Sequence, residues 1–336
     1  MTENILICGT NWLGDSIMSM PALQWLKGQG ASSRITMLVK PQLVELWKMH
    51  SAVDDIINLE PGVGGVSKAA RVIRRKKFAR AIVFPNSLRS AMVPFLAGVP
   101  ERVGRVGHWR RSLLTRVIKF GDSPAHRHQS WEYVELLSPD KMPSDLPPPR
   151  LILSSSAVDA VATRFGMDRA GRYVSIMPGA ARGSSKRWPG EYFVEVGWRL
   201  IERKCQILVL GTETEKRICS DVASCIGAGA RSLAGQTRIP ELAALLSLCS
   251  VVICNDSGGM HLAAACGSRI VAVFGLTDPA TTGPLGTGHR VICAEGIAKR
   301  SRDIERQSSE AEHALRSIRP DVVLKAALEL LSTRGA

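Results

Sequence analysis

The stretch Val251-Val-Ile-Cys-Asn-Asp-Ser-Gly-Gly-Met-His-Leu-Ala-Ala-Ala265 predicts a short buried strand that runs directly into a helix. Backbone N–H groups at a helix N-terminus lack intrahelical partners and carry the positive end of the dipole, so they suit a phosphate. Ser257 is expected to cap this helix, and Gly258 and Gly259 would let a ligand approach the main chain. Asp256 would repel a phosphate alone, but a carboxylate here could hold sugar hydroxyls beside one. The stretch favours a nucleotide-sugar, and an ordinary strand-to-helix turn is the alternative.

The same alternation of apolar strands and helices runs through both halves of the chain. Predicted strands are 5–8, 35–39, 55–59 and 81–84 in the first half, and 173–177, 206–210, 251–254 and 270–274 in the second. A proline-rich polar stretch, 138–150, separates the two series. Such alternation predicts parallel sheets with helices on both faces. We therefore expect an α/β protein with two Rossmann-like, doubly wound parallel-sheet domains, 1–168 and 169–336, facing a central cleft. The last helix, 320–331, is a candidate to pack back on the first domain.

The composition is that of a globular protein, because 45% of the 336 residues are hydrophobic and 22% are charged. No apolar run approaches the ~18 residues of a membrane span, and no signal peptide is recognisable, which favours the cytoplasm. Cys8, Cys205 and Cys254 stand in apolar strand contexts and are expected to be buried free thiols. The chain has no Cys-x-x-Cys pair and no Asp-x-Asp triplet, so we expect no metal site.

Positive charge is concentrated in one part of the first half. The net charge is +14, and the segment from Lys68 to Arg127 holds fifteen Lys and Arg residues against two acidic residues. Such a block favours an anionic partner, which could be a nucleic acid, a membrane surface or a phosphorylated substrate. Aromatic residues are scarce there, which argues against a base-stacking platform. A solvated basic helix is the alternative for 71–77, which contains Arg74, Arg75, Lys76 and Lys77.

A candidate general base follows the first predicted strand. The loop Gly9-Thr10-Asn11-Trp12-Leu13-Gly14-Asp15 places a carboxylate at the carboxyl end of that strand, where it would face the cleft. Asp15 could also serve only as a favourable residue in the first turn of a helix. Further candidates in the same loop are Asn11, Trp12 and Gly14.

A second loop, 178–189, ends in Lys186-Arg187 just before a helix that Pro189 can initiate. Its spacing does not fit a P-loop, because Lys186 is three residues past Gly183. The two cations could neutralise a diphosphate leaving group without a metal, and a solvated basic turn is the alternative. Three further candidates follow other strands: Thr277 as a phosphate donor, Glu215 as a ribose ligand or helix-start carboxylate, and His261, which is more often a packed histidine than a catalyst.

Taken together, these motifs resemble glycosyltransferase family 9, the bacterial lipopolysaccharide heptosyltransferases, and closely resemble the members that add the second heptose. The resemblance runs from about residue 4 to residue 292, with Gly259 where a leucine is usual. It rests on Trp12-Leu13-Gly14-Asp15, Pro85-Asn86-Ser87, Ala97-Gly98-Val99-Pro100, Pro178-Gly179-Ala180, Lys186-Arg187-Trp188-Pro189, Leu233-Ala234-Gly235 and Asn255-Asp256-Ser257-Gly258 with Met260-His261.

The resemblance implies a GT-B fold and an inverting, metal-independent transfer of L-glycero-D-manno-heptose from ADP-heptose to the heptosylated Kdo–lipid A inner core. By position, Asp15 matches the family's catalytic base and Lys186 its diphosphate-binding lysine. Glu215 and Asp256 match its ribose and sugar contacts. On this interpretation Arg187, Ser257, Gly258, Gly259 and Thr277 also bind the donor. The acceptor side would consist of Asn86, Ser87, Arg89, Arg74, Arg75, Lys76 and Lys77.

Several alternatives stay open at this point. A family member that adds the first or third heptose, or a sugar-nucleotide epimerase of the same fold, would use the same loops. A non-catalytic basic module would explain the positive block but not three ligand-type loops at strand ends. We expect a monomer without a cofactor or nucleic-acid partner. It would meet its anionic lipid acceptor at the cytoplasmic face of the inner membrane.

Overall fold

The computed structural model describes residues 3–30, 33–107, 109–119, 127–181, 183–296 and 304–333. Within them the chain divides into a first unit that ends at Ile152 and a second unit that begins at Leu153. Each unit is built around one six-stranded sheet whose neighbouring strands are parallel. The predicted pair of doubly wound parallel sheets is confirmed.

The first unit has β1 (Glu3–Cys8), β2 (Ser33–Val39), β3 (Asp55–Asn58), β4 (Arg80–Val83), β5 (Glu101–Arg105) and β6 (Arg116–Ile118). Its helices are α1 (Leu13–Gly28), α2 (Val44–Lys48), α3 (Gly62–Lys76), α4 (Leu88–Leu96) and α5 (Ser130–Leu137). The strand order is β3-β2-β1-β4-β5-β6, so β1 and β4 lie at the centre of the sheet.

The second unit begins with α6 (Ser155–Arg164) and has β7 (Tyr173–Met177), β8 (Gln206–Val209), β9 (Ala230–Ser232), β10 (Val251–Asn255), β11 (Ile270–Phe274) and β12 (Arg290–Cys293). Its other helices are α7 (Gly190–Ile201), α8 (Lys216–Ile226), α9 (Ile239–Leu248), α10 (Gly258–Ala265), α11 (Pro279–Thr282), α12 (Ser309–Ser317) and α13 (Pro320–Ser332). The strand order is β12-β11-β10-β7-β8-β9.

The central strands are apolar along their length because helices cover both faces of each sheet. Every residue of β10 is buried, and Ile5, Leu6 and Ile7 of β1 are fully buried. The polar residues that follow these strands are therefore the first that can meet solvent. Since all neighbours are parallel, those residues collect at one edge of each sheet, which we call the carboxyl edge. The opposite edge, where strands begin, is the amino edge.

The boundary between the two units differs from the predicted one. It falls between residues 152 and 153, earlier than residue 168, because α6 packs on α9 of the second unit. Within the second unit, the last helix, α13, packs on α7 and on strands of the sheet. Its apolar face, including Val323, Ala327 and Leu330, belongs to the second hydrophobic core.

The cysteines follow the sequence-based expectation. Cys8, Cys205 and Cys254 are buried and unbridged. Burial raises the pKa of the Cys8 thiol to about 12, although the nearby Arg110 guanidinium acts in the opposite direction. These thiols are therefore protonated core side chains. Among the described residues, no helix is both long enough and apolar enough to cross a membrane.

Two neighbouring valines on α13 test its place in the second core. Val323 is fully buried, whereas Val322 is 46% exposed. Val323→Asp should unfold the second unit, because an unpaired carboxylate in a core costs more than about 4 kcal/mol. Val322→Asp should change the free energy of unfolding by no more than about 0.5 kcal/mol. Urea unfolding followed by circular dichroism measures both, and equal effects would show that α13 is not part of that core.

Candidate active site

The carboxyl edge of the second sheet is organised by Asn255, the last residue of β10. Its side chain is fully buried. The amide nitrogen Nδ2 donates to the carbonyls of Pro178 (2.9 Å) and Gly179 (3.2 Å), while Oδ1 accepts from the backbone N–H of Trp188 (2.9 Å). One amide therefore joins the end of β10, the segment after β7 and the loop before α7. Asn255 was part of the family motif, but no role was predicted for it.

Lys186 and Asp256, which were assigned separately to diphosphate and sugar, form an ion pair with each other. Lys186 Nζ donates to Asp256 Oδ2, and both side chains are largely buried. Lys186 ends a short 3₁₀ turn, Ser184–Lys186, and Asp256 directly follows β10. The Asp256 carboxylate supplies a counter-ion for this partly buried cation.

The N-terminus of α10 differs from the prediction in one respect. Ser257 is the N-cap residue, but its side chain makes no capping hydrogen bond; the backbone there is extended (φ −149°, ψ 171°). The prediction that Ser257 caps the helix is therefore wrong. The Ser257 carbonyl instead accepts from the N–H of Met260 (3.1 Å). At Gly259 a Cβ would collide with the end of the Met177 side chain, which occupies the space that a larger residue would need.

Glu215 lies against the same edge, beside the segment after β7. Its Oε2 accepts from the backbone N–H (2.9 Å) and the hydroxyl (2.8 Å) of Thr212, in a capping box at the start of the 3₁₀ turn Glu213–Glu215, which leads into α8. The carboxyl group occupies the space that a side chain at Gly179 would fill. The helix-start role is therefore observed, and it holds the carboxylate close to the main chain that Asn255 secures.

The other predicted donor residues have mainly structural contacts. Arg187 Nη2 donates to the carbonyl of Ala180 (3.2 Å), which closes the loop that carries Lys186. Thr277 and His261 are buried, 3% and 5% exposed. Asp278, which follows Thr277, caps α11 by accepting from the N–H of Ala280 (2.9 Å).

In the first unit, Asp15 lies in the first turn of α1, at the carboxyl edge beyond β1. Gln129 Nε2 donates to Asp15 Oδ1 (3.2 Å) and also contacts the hydroxyl oxygen of Tyr133 (3.1 Å). Gln129 and Tyr133 are buried, and the Tyr133 ring packs on Phe84, which follows β4 (centroids 4.9 Å apart). The Asp15 carboxylate thus accepts a hydrogen bond from the residue that directly precedes α5, a helix that the sequence pattern did not predict. Nothing in the local sequence marks Gln129.

The remaining candidates at this edge divide into exposed and structural residues. Asn11 is exposed, Trp12 is 64% exposed, and Gly14 is half-buried. In the segment after β4, Asn86 is exposed, and Ser87 caps α4 by accepting from the N–H of Ser90 (3.3 Å).

Arg89 acts as a tether on α4. Its Nη2 donates to the carbonyls of Glu60 and Gly62 (3.3 Å for the latter), in the segment after β3. The guanidinium therefore holds two strand-end segments of the first unit together.

The four basic residues at the end of α3 lie at the opposite edge. Arg74, Arg75 and Lys76 are in the last turn of α3, and Lys77 follows in a left-handed conformation. Lys76 Nζ pairs with Asp55 Oδ2 (2.6 Å), at the first residue of β3. The start of β3 belongs to the amino edge, whereas Asp15 is at the carboxyl edge. The structure does not bring these residues together with Asp15.

Comparison with known proteins adds a family assignment to this geometry. The profile of glycosyltransferase family 9 (heptosyltransferase) matches residues 66–313. Lipopolysaccharide heptosyltransferase 2 of Escherichia coli K12 is 29% identical over 304 residues, which cover 86% of this chain and 87% of that protein. The protein of the same name from Salmonella typhimurium is 29% identical over 348 residues, which cover 98% and 99%.

Solved structures give the same result. The structure of E. coli ADP-heptose lps heptosyltransferase II, 28% identical, matches with a TM-score of 0.86 and covers 98% of each chain. A family 9 glycosyltransferase from Veillonella parvula, 21% identical, also matches with a TM-score of 0.86 over 98% of this chain and 97% of that one, and thus shares the fold. The fold is of the GT-B class.

The Asn255 linkage predicts a specific loss of stability. Asn255→Ala would leave the Trp188 N–H and two carbonyls without partners inside the protein, which should cost roughly 2–4 kcal/mol of unfolding free energy. Ser257→Ala is the matched control. Because the Ser257 side chain makes no capping bond, the unfolding free energy of this variant should stay within about 0.5 kcal/mol of wild type. Urea denaturation measures both changes. If Asn255→Ala were as stable as Ser257→Ala, the loop 178–189 and the end of β10 would be held together by other contacts.

Proposed function

The chain belongs to glycosyltransferase family 9, and we propose that it is a lipopolysaccharide heptosyltransferase. The proposed reaction transfers L-glycero-D-manno-heptose from ADP-heptose to an inner core that already carries one heptose, with inversion at the anomeric carbon. The similarity over nearly the full chain to proteins named lipopolysaccharide heptosyltransferase 2 supports the choice of the second heptose.

The observation that carries the proposal is the grouping of Lys186, Asp256 and the start of α10 around the buried Asn255. In the proposed complex, Lys186 and the backbone N–H groups of Gly258 and Gly259 bind the diphosphate of the donor. Arriving phosphate oxygens compete with Asp256 for Lys186, which frees the carboxylate to accept from sugar hydroxyls. Glu215 accepts from ribose hydroxyls, and Arg187 and Thr277 also bind the donor.

The chemical step is a single displacement. Asp15 takes the proton from the acceptor hydroxyl while the oxygen of that hydroxyl attacks the anomeric carbon on the face opposite ADP. The bond between carbon and the ADP oxygen breaks through a transition state with oxocarbenium character. Charge developing on the departing diphosphate is stabilised by Lys186 and the amides of α10, a role that is electrostatic and requires no metal. Gln129 keeps the Asp15 carboxylate oriented for proton transfer.

The proposal also covers where the protein works. The acceptor is lipid-anchored, so we place the enzyme, as a monomer without a nucleic-acid partner, at the cytoplasmic face of the inner membrane. Asn86, Ser87 and Arg89 lie at the carboxyl edge and are proposed to border the acceptor site. The exposed basic residues Arg74, Arg75, Lys76 and Lys77 lie at the amino edge, and we reassign them to attraction by the anionic lipid surface.

Product analysis tests the assignment directly. The purified protein is incubated with ADP-heptose and either Kdo–lipid A or its singly heptosylated form, and the products are identified by mass spectrometry. One heptose should be added only to the heptosylated acceptor. Addition to the bare Kdo acceptor would identify a first-heptose enzyme. Conversion of the donor without transfer would favour an epimerase or a hydrolase.

Lys186 is expected to contribute to donor affinity. Lys186→Ala should weaken ADP and ADP-heptose binding by about ten- to hundredfold, the loss expected for one charge-assisted contact. The double variant Lys186→Ala with Asp256→Asn should recover part of the ADP affinity, because the unpaired carboxylate that repels the diphosphate has been neutralised. Isothermal titration calorimetry, with and without EDTA, measures these affinities. Unchanged ADP binding by Lys186→Ala, or loss of binding in EDTA, would contradict this assignment.

Asp15 is expected to act in the chemical step. The amide oxygen introduced by Asp15→Asn can still accept the Gln129 hydrogen bond, so the variant should melt close to wild type and bind ADP-heptose normally. It cannot take a proton at neutral pH, so transfer should slow at least about a hundredfold. Single-turnover assays at saturating donor measure the rate. A near-native rate would mean that another group is the base and that Asp15 is a helix-start residue.

A further inference from the structure

The segment after β5 is anchored by an arginine with no exposed surface. Arg110 Nη1 donates to the carbonyl of Pro85 and lies 3.5 Å from that of Ser87. Its Nε and Nη2 atoms are buried without a hydrogen-bond partner in the described part of the chain. Burying a cation with two unpaired nitrogen atoms costs free energy, so the surrounding structure must hold the Arg110 side chain in place.

Two glycines leave the space that the Arg110 side chain occupies. A Cβ on Gly104 would collide with Nη2 of Arg110, and one on Gly107 would lie 2.8 Å from its Cδ and 2.9 Å from the carbonyl oxygen of Asn86. The absence of both side chains therefore lets the guanidinium pass beneath the segment. The residues on either side of Arg110 are consequently fixed against the segment that follows β4.

The residue next to this anchor is strained and exposed. Trp109 has φ +59° and is 89% exposed, and Val106 nearby is 52% exposed. A bulky residue at positive φ is an outlier that costs free energy, and such outliers collect at functional sites. The two other described non-glycine residues at positive φ, Lys77 and Lys204, follow the ends of α3 and α7, where a left-handed residue commonly terminates a helix. Trp109 follows no helix, so helix termination does not explain its conformation.

We propose that Trp109 is a stacking platform for a sugar ring of the acceptor. The indole is presented at the carboxyl edge beyond β5, two strands from β1, which leads to Asp15. An aromatic face packs well on the apolar C–H face of a pyranose ring. Arg111 is exposed beside it and would pair with an anionic group of the same saccharide, a carboxylate or a phosphate. This inference rests on the proposed function and names the acceptor contact that the function requires.

The test uses a water-soluble acceptor, the heptosylated Kdo saccharide with its acyl chains removed, and measures its Kd by calorimetry without donor and its KM during transfer. Trp109→Ala and Trp109→Asn should raise both constants about tenfold, the effect of losing one aromatic contact. Trp109→Phe should stay near wild type. The Kd for ADP-heptose should not change in any of the three variants.

Stability separates this role from a structural one. Asparagine tolerates the left-handed conformation better than tryptophan, so Trp109→Asn should melt no lower than wild type while it binds the saccharide more weakly. Lys204→Asn is the control for strain, because Lys204 is also exposed with φ +61° but lies in the second unit. Trp198→Ala is the control for removing an exposed indole, since Trp198 is 58% exposed on α7. Both controls should leave the saccharide Kd unchanged.

Unchanged saccharide Kd and KM in Trp109→Ala would overturn the proposal. An effect seen only with the acylated acceptor in vesicles would also overturn it, because the indole would then contact lipid. Failure of the wild-type protein to transfer heptose would count against the proposed function. The saccharide Kd, which needs no transfer, would still decide the role of Trp109.

Discussion

The proposed donor site depends on one buried amide, the side chain of Asn255. The Asn255 side chain bonds to main-chain atoms at both ends of the loop 178–189, at Pro178 and Gly179 and at Trp188, and its own backbone ends β10. Because a buried donor or acceptor left unpaired costs free energy, the two ends of this loop and the end of β10 can hardly shift independently. Lys186 lies in the turn just before Trp188, and Asp256 is the next residue after Asn255. The hydrogen bonds of the Asn255 side chain therefore fix the position of the Lys186–Asp256 ion pair and of the start of α10.

The first unit holds its proposed general base, Asp15, differently. Asp15 is oriented by Gln129, and Gln129 is itself held against Tyr133 and the ring of Phe84. Three other residues at the carboxyl edge of this sheet, Trp12, Asn86 and Trp109, are exposed. A compact, charged donor suits a site of fixed cations and amides. A large saccharide acceptor suits an exposed edge with aromatic and basic contacts. The two units differ in the way that such a division of labour requires.

Much of the fold could be predicted because the central strands, such as β1 and β10, are continuous apolar runs that only a covered parallel sheet explains. Strand β5 was missed for the opposite reason: it reads Glu-Arg-Val-Gly-Arg and has no apolar run. Asp15 and Asp256 could be proposed as site residues because they follow central strands, and Lys186 could be proposed because it stands near the end of the loop before α7. The role of Asn255 could not be predicted, because its hydrogen-bond partners are 67 to 77 positions away in the sequence. The charge count suggested that Arg74 to Lys77 bind the acceptor. A helix that connects two parallel strands runs back to the amino edge of the sheet, and these residues are at the end of such a helix, α3. Their position at the amino edge therefore follows from the topology.

The central claim is that Lys186, Asp256 and the start of α10 form the ADP-heptose site. A crystal structure with bound ADP-heptose tests it most directly. The account predicts diphosphate oxygens within hydrogen-bonding distance of Lys186 Nζ and of the backbone nitrogens at the start of α10, with Asp256 turned from the lysine to the sugar hydroxyls. A nucleotide bound elsewhere, with the Lys186–Asp256 pair intact, would contradict it.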